Sequence, residues 1–502
     1  PATAPPRRLW LAGRPQPAPC NAVFAAWRAA GRLTPALLWT RIERAIRAGH
    51  VGLAGYLARY LDPGDRHWVG LWRRVHEDPT RVLSAPAFEV DHPMGRRILT
   101  YGITRQARAD AVQALALWEQ LKGRQAFGEG TRRRVTREIA LRLALQDAPA
   151  WEECLKALGV TATAGRWGPL RLRAALELGD WQAVIDLIHR LPPDRRERPR
   201  WRYWRARSLA ALGEARHAEA VYAELAATRH YYGFLAADRL GVAYPLKTRR
   251  SDDDTEALAE LARAPGIRRA HELLVLERLP EARREWHYAT RDMSEAELLR
   301  AARLARRWGW HDRALVTLAR TRHADELDVR FPTPFRETIE RHTAAHEVDP
   351  AWVYAIIRQE SSFMPDVRSP SGALGLMQLL PRTGRSVAER LGTRLAHRRE
   401  LLDVETNLRL GIAYLARTLE MTRGHPVLAT ASYNAGYGTV RGWVPRDGTV
   451  AADRWIETLP LAETRNYVRN VLAYTTVYDH RLDGETTVLT DRMPPIGIRL
   501  IH

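Results

Sequence analysis

The chain has 502 residues, 45% hydrophobic and 27% charged, an ordinary globular composition with room for about two to four domains. Its 78 basic and 58 acidic side chains leave a formal charge of +20, which favours a polyanionic partner such as nucleic acid, anionic lipid or peptidoglycan, with a solvated Arg-rich surface as the plain alternative. No stretch approaches the roughly 18 to 20 apolar residues of a membrane span, and the 2 cysteines, Cys20 and Cys154, cannot by themselves make a four-ligand metal site.

The opening Pro1-Ala2-Thr3-Ala4-Pro5-Pro6 carries no secretory signal; it reads as a mature terminus or a cut boundary and assigns no compartment. Cys20 follows Pro17-Ala18-Pro19 rather than an apolar stretch, so it is not read as a lipidation site, and with Cys154 it could form a disulfide or stay a thiol. Abundant Leu, Ala and Arg with few β-branched runs predict helix. Over residues 1–250 the signals Asp62-Pro63-Gly64, Gly179-Asp180, Pro192-Pro193-Asp194 and Gly213-Glu214 separate short helices. Leu178-Gly179 and Leu212-Gly213 lie 34 residues apart, the period of helical-hairpin repeats that stack into a curved solenoid, with a plain bundle as the alternative. Trp201, Trp204, Leu209 and Leu212 mark the apolar side of one such helix, and Ala220, Val221 and Leu225 that of the next. Most of the 17 tryptophans are expected in the core, and a few on a sugar-binding face. Ser251-Asp252-Asp253-Asp254 is a polar break before another helical module with a helix–Gly–helix at Gly309, and Phe331-Pro332-Thr333-Pro334 breaks the chain again. The expected domains are therefore a superhelical one over 1–250, a helical linker over 251–333 and a third over 334–482. An extended tail over 483–502, with Met493-Pro494-Pro495, completes the reading.

The third segment carries chemistry. Asp349 is a good N-cap, Pro350 suits the first helical position, and Val348 with Val353 can staple the start. Trp352, Ile356 and Glu360 are spaced by four, so Glu360 continues the apolar stripe of a helix. A carboxylate on a buried face is costly unless paired or protonated, and burial raises its pKa toward what a general acid needs near neutral pH. By helix spacing alone such a Glu is more often a salt-bridged or partly exposed helix-end residue. Ser369-Pro370-Ser371-Gly372-Ala373-Leu374-Gly375-Leu376-Met377-Gln378 follows, with glycines that permit close backbone approach and an amide suited to sugar hydroxyls and acetamides. Asp403 can cap a helix with apolar Val404, Leu408, Ile412, Leu415 and Leu419. Tyr433 and Asn434 close a helix before glycines. Tyr433 and Tyr467 read equally as core packing, and Glu463 with Arg465 as a helix-end ion pair.

The order Gln359-Glu360-Ser361, Gly375-Leu376-Met377-Gln378, Tyr433-Asn434-Ala435-Gly436 and Glu463-Thr464-Arg465-Asn466-Tyr467-Val468 resembles the soluble lytic murein transglycosylases of Gram-negative bacteria. Trp201-Arg202-Tyr203-Trp204 and Glu281-Ala282-Arg283-Arg284-Glu285-Trp286 are similar to segments of that family's helical ring and linker domains, so the resemblance covers nearly the whole chain. It implies an all-α fold with a goose-lysozyme-like catalytic domain on a ring-like superhelix. It also implies a carbon–oxygen lyase that cleaves the β-1,4 bond between N-acetylmuramic acid and N-acetylglucosamine and leaves a 1,6-anhydromuramyl end. Mapped by motif, Glu360 is the acid and then the base, and Tyr433 lies near it and helps orient it. Ser369, Met377, Gln378, Asn434 and Glu457 contribute to the saccharide groove or its support. Leu380 stands where the family often has Met and keeps an apolar contact with the sugar; Tyr437 stands where Pro is common.

One carboxylate, with no matching nucleophile motif at Asp366 or Asp403, points away from the usual carboxylate pair of glycosidases and toward help from the substrate's own acetamido group. The resemblance implies no metal and no cofactor, peptidoglycan glycan strands as the partner, other cell-wall enzymes as candidate partners, a monomer, and a periplasmic location after loss of a signal peptide. A hydrolytic muramidase of the same fold is the nearest alternative. A helical-repeat scaffold with an inactive end domain is the other, though no nucleic-acid-binding motif is present.

Overall fold

The computed structural model describes residues 9–82, 86–145, 148, 150, 153–154, 167–246, 255–323, 325–445, 448–482 and 484–500. The polar break at residues 251–254 lies outside them. The protein is all-α, and it divides into two compact units, Pro1–Gly179 and Asp180–His502. Among the described residues, no helix is long and apolar enough to cross a membrane.

The first unit is built from helices that pack on their neighbours in the chain, and several of their starts are written in the sequence. Helices Pro35–Arg47, Pro63–Glu77 and Pro93–Ala109 each place Pro in the first turn, behind the side-chain caps Thr34, Asp62 and His92. Asp62-Pro63-Gly64 is thus a helix start as well as a turn. Ile42, Ile46, Trp72, Ile98 and Trp118 are fully enclosed in this unit's core. Cys20 and Cys154 are both free thiols.

The 34-residue spacing does mark helix–Gly–helix units: Gly179 and Gly213 both have positive φ, +68° and +92°, between consecutive helices. The apolar face of helix Pro199–Ala211 differs from expectation. Leu212 faces solvent, and the buried positions are Trp201, Tyr203, Trp204, Ala206 and Ser208; on the next helix, Ala215–Ala226, Ala220 faces solvent while Val221 and Leu225 are buried. Tyr203 and Trp204 are adjacent, so they leave the helix in different directions; both are enclosed because the helix is covered on two sides. Apart from Trp151 and Trp167, whose side chains lie outside the description, every tryptophan is buried or half-buried.

Residues 255–318 form a second small core around Leu258, Ile267, Ala282, Trp286 and Trp310. Its helices include Leu279–Ala289 and His311–Leu318, and Gly309, at φ +70°, turns the chain into the latter as expected. Past Phe331-Pro332-Thr333-Pro334 the chain enters a helical module in which helix Pro350–Ser361 packs along helix Ala462–Arg481. The proline break is pinned there: Tyr354 and Tyr478 hydroxyls donate to the carbonyls of Pro334 (2.9 Å) and Pro332 (3.2 Å).

The tail is not merely extended. It forms a strap with buried Leu489, Met493 and Ile496. Strand Ile496–Gly497 pairs antiparallel with Thr449–Val450. The backbone N–H groups of Leu489 and Thr490 donate to Tyr244 Oη (2.7 Å) and Asp238 Oδ2 (2.9 Å). Arg492 joins Asp349 (2.5 Å) to Asp479 (2.8 Å). The proline pair suppresses helix here, but the buried apolar side chains and these anchors give the segment a fixed course.

Candidate active site

Helix Pro350–Ser361 begins as the sequence predicts: the Asp349 carboxylate accepts from Ala351 N at 2.8 Å and Pro350 sits in the first turn. It is not amphipathic, however. Ala351 through Ile357 are buried without a break, so this is a central helix rather than a striped one. Trp352 Nε1 finds a partner in Thr430 Oγ1 (3.1 Å). The helix stops at Ser362 and Phe363, which both adopt left-handed backbone at φ +51° and +65°. For non-glycine residues that costs roughly 1–2 kcal/mol each, a strain that concentrates where chain direction matters to function.

Glu360 lies in the last turn, half-buried. Tyr467 Oη, from helix Ala462–Arg481, donates to its Oε1 at 2.7 Å. Burial pushes the Glu360 carboxyl up to about 7; the Tyr467 hydrogen bond opposes this and the nearby negative Glu463 adds to it. A carboxyl group poised at that value is protonated in a useful fraction near neutrality and can both give and take a proton. Tyr467→Phe removes the donor that favours the ionised form. It is expected to move the Glu360 titration upward by about one pH unit, read from its side-chain carboxyl NMR shift. An unchanged midpoint would show that the phenol does not act on the carboxylate.

Tyr433 is also close enough for the Glu360 charge to raise its pKa, although burial is the larger cause. Its hydroxyl goes elsewhere, to Met377 O at 2.8 Å, and its ring packs on Tyr414 at 5.2 Å between centroids. The phenol hydrogen-bonded to Glu360 is therefore Tyr467, and Tyr433 holds the neighbouring loop. That loop, residues 367–379, folds on itself through the bridges Arg368–Leu374 and Leu374–Leu379. Ser369 Oγ accepts from Ala373 N (2.9 Å). Gln378 Nε2 donates to Gly375 O (2.8 Å) and Val367 O (3.3 Å).

Asn407, in helix Val404–Met421, holds the loop from beneath. Its Oδ1 accepts from Met377 N (2.7 Å), and its Nδ2 donates to Leu374 O (3.0 Å) and Leu401 O (2.7 Å). Gly375 is required by this arrangement, because a Cβ there would lie 2.3 Å from the Asn407 amide and 2.2 Å from Leu401 O. Sequence reasoning passed over Asn407, although a polar amide among the apolar positions of a predicted helix is a usable signal. Met377 is wholly buried and so supports the loop from inside, whereas Leu380 is 44% exposed at its end. Asn434 is half-buried, its Oδ1 accepting from Thr464 Oγ1 at 2.8 Å.

Glu457 is not brought to Glu360. It is 1% exposed in helix Ala452–Thr458, and its Oε2 accepts from Trp204 Nε1 (2.9 Å) and Tyr232 Oη (2.7 Å). Arg200 lies 2.5 Å from Oε1 and Arg469 3.5 Å from Oε2. A carboxylate with these partners is committed to joining helices, which corrects its expected place in the saccharide groove or its support. One turn earlier, Asp453 accepts from Tyr203 Oη (2.8 Å) and Arg207 Nε (3.3 Å). The other acids considered as nucleophiles are likewise engaged: Asp403 caps its helix by accepting from Thr406 N (2.8 Å), and Asp366 is held by both terminal nitrogens of Arg283.

Known proteins resemble this chain along most of its length. The family model described as Transglycosylase SLT domain matches residues 337–456. The Soluble lytic murein transglycosylase L domain matches 260–327, and the Soluble lytic transglycosylase helical domain matches 458–486. The soluble lytic murein transglycosylase of Escherichia coli strain K12 is 30% identical over 491 residues, covering 96% of this chain and 75% of that protein. The solved structure of an inactive mutant of the lytic transglycosylase Slt from Pseudomonas aeruginosa has 36% identity and a TM-score of 0.63, over 96% of this chain and 79% of that one. A complex of the 70-kDa soluble lytic transglycosylase with bulgecin A has 29% identity and a TM-score of 0.61, over 96% and 78%.

Proposed function

The chain belongs to the soluble lytic murein transglycosylase family and is a peptidoglycan lytic transglycosylase, and from that premise we propose that Glu360 alone performs both proton transfers of the reaction. The observation that carries this is the Glu360 carboxyl itself, half-buried, held by Tyr467 and raised to about 7, while Asp366, Asp403 and Glu457 are each committed to other partners. Protonated Glu360 gives its proton to the bridging oxygen as the bond from the muramyl C1 to that oxygen breaks. The substrate's 2-acetamido oxygen stabilises C1 from the opposite face. The ionised Glu360 then removes the proton of the muramyl C6 hydroxyl, whose oxygen closes on C1 to give the 1,6-anhydro ring. No water is consumed, and Glu360 ends protonated as it began. A retaining glycosidase would need a second carboxylate about 5–5.5 Å from the first as nucleophile.

Tyr467 orients Glu360, and Tyr433 and Asn407 hold the loop beside it. Ser369, Leu380, Asn434 and the amide oxygen of Gln378 line the saccharide groove, because the Gln378 nitrogen is occupied within the loop. Met377 backs that groove. The enzyme acts as a monomer on periplasmic glycan strands. Its product test is mass spectrometry after digestion in ¹⁸O-labelled water. Muramyl ends one water lighter than reducing ends, and free of label, are expected; labelled reducing ends would establish the hydrolytic muramidase instead.

A further inference from the structure

We propose that Arg283, in the linker segment far from Glu360 in sequence, is a positioning residue of the reaction: it fixes the groove loop through Asp366. Arg283 lies in helix Leu279–Ala289, with its side chain 16% exposed. Nη1 and Nη2 donate to Asp366 Oδ2 (2.8 Å) and Oδ1 (2.6 Å), a bidentate fork that lysine cannot reproduce. The remaining edge is used too. Nε donates to Asp312 Oδ2 at 3.1 Å, and Asp312, 4% exposed, is also held by Arg313 at 3.0 Å. The guanidinium is thus set in place by the linker's own acid before it meets the loop.

Asp366 sits at a sensitive point. It follows the strained Ser362 and Phe363 turn and immediately precedes Val367, whose carbonyl accepts from Gly375 N (3.1 Å) and Gln378 Nε2 (3.3 Å). Movement of Asp366 therefore carries to both ends of the loop that presents Ser369 and Gln378. Asn407 holds that loop from beneath, and Arg283 holds its entry from the linker side. The linker segment is in this sense part of the groove, and the inference rests on the placement of Ser369 and Gln378 against the saccharide.

The test is steady-state turnover of soluble peptidoglycan strands by the full chain, with melting temperature measured alongside. Arg283→Gln and Asp366→Asn are each expected to raise KM about ten-fold, since misplacement by about 1 Å can cost up to a hundred-fold. The value of kcat and its alkaline limb stay unchanged, because Glu360 is not touched. The double variant should be no worse than either single one, and Arg283→Lys should recover part of the loss. A purely structural role would lower the folded fraction, hence apparent kcat, with KM unchanged, and would overturn the proposal; so would additive KM effects in the double variant. Ser369→Ala and Gln378→Ala separate the premise from the inference. If they raise KM and Arg283→Gln does not, the inference alone fails; if none of these changes moves KM, the groove reading fails and takes the inference with it.

Discussion

Glu360→Gln is expected to lower turnover of peptidoglycan by roughly a thousand-fold or more while leaving the fold intact, because one carboxyl group does the work of both acid and base. The amide keeps the size of the side chain and can still accept from Tyr467, so substrate binding should change little. Stability gives an independent readout. In the folded protein the Glu360 carboxyl sits at about 7 against an ordinary 4.5, chiefly through burial, so the native state holds a proton that the unfolded chain releases. The stability linked to that proton is fully present below the ordinary value and is lost as pH rises through 7. Glu360→Gln has no such loss. Its melting temperature should match wild type near pH 4.5 and exceed it at pH 8.5, with a difference on the order of 2 kcal/mol after allowance for partial exposure. Wild-type activity should fall above about pH 7 for the same reason. A variant that retained turnover, or a stability gap independent of pH, would remove Glu360 from its proposed place.

Glu457→Ala should destabilise the protein by roughly 3–5 kcal/mol. Alanine would leave the Arg200 and Arg469 guanidiniums without this carboxylate, and would strip the partner from Trp204 Nε1 and Tyr232 Oη. Burial by itself would push the Glu457 carboxyl up, but the two guanidiniums and the indole and phenol donors more than offset it and hold it below the ordinary range. Its contribution is therefore present above the ordinary glutamate pKa and fades as acid protonates it in the fold. Denaturant unfolding at pH 7 measures the loss. Glu457→Gln should fall between, since it keeps acceptors and loses the charge. Turnover per folded molecule at saturating substrate should change little in Glu457→Gln; a collapse of kcat with the fold preserved would return Glu457 to the chemistry.

These two glutamates also show how far the residues could be read without coordinates. The capped helix that ends at Glu360 was legible from Asp349, Pro350 and the spacing, and four ordered motifs make Glu360 the candidate acid. Its helix was misread as striped because a segment buried all round has no polar face to reveal its orientation. Glu457 was misplaced because nearness to a motif along the chain says nothing about which way a short helix faces. Tyr467 could be read as a family tyrosine, but its bond to Glu360 spans 107 residues and belongs to the packing of two helices. Tyr433 and Tyr467 are alike by sequence; only the third dimension decides which phenol reaches the carboxyl. The tail's course was hidden for a different reason: a strap with few helical turns is specified by the surfaces it crosses, and those are distant in sequence.

The acidic pair of helix Ala452–Thr458 has a bearing on how the protein is made. Asp453 and Glu457 meet Tyr203 and Trp204, partners 250 and 253 residues earlier in the chain. Contacts of such sequence separation close large loops and are slow to find. Until they form, a tryptophan, two tyrosines and several guanidiniums that end in the dark lie open to proteases and to other chains. The helices around residues 199–240 must therefore wait, partly finished, for the catalytic module to arrive. Enclosure of these aromatic side chains is then set by the arrival of helix Ala452–Thr458 rather than by the helices that carry them.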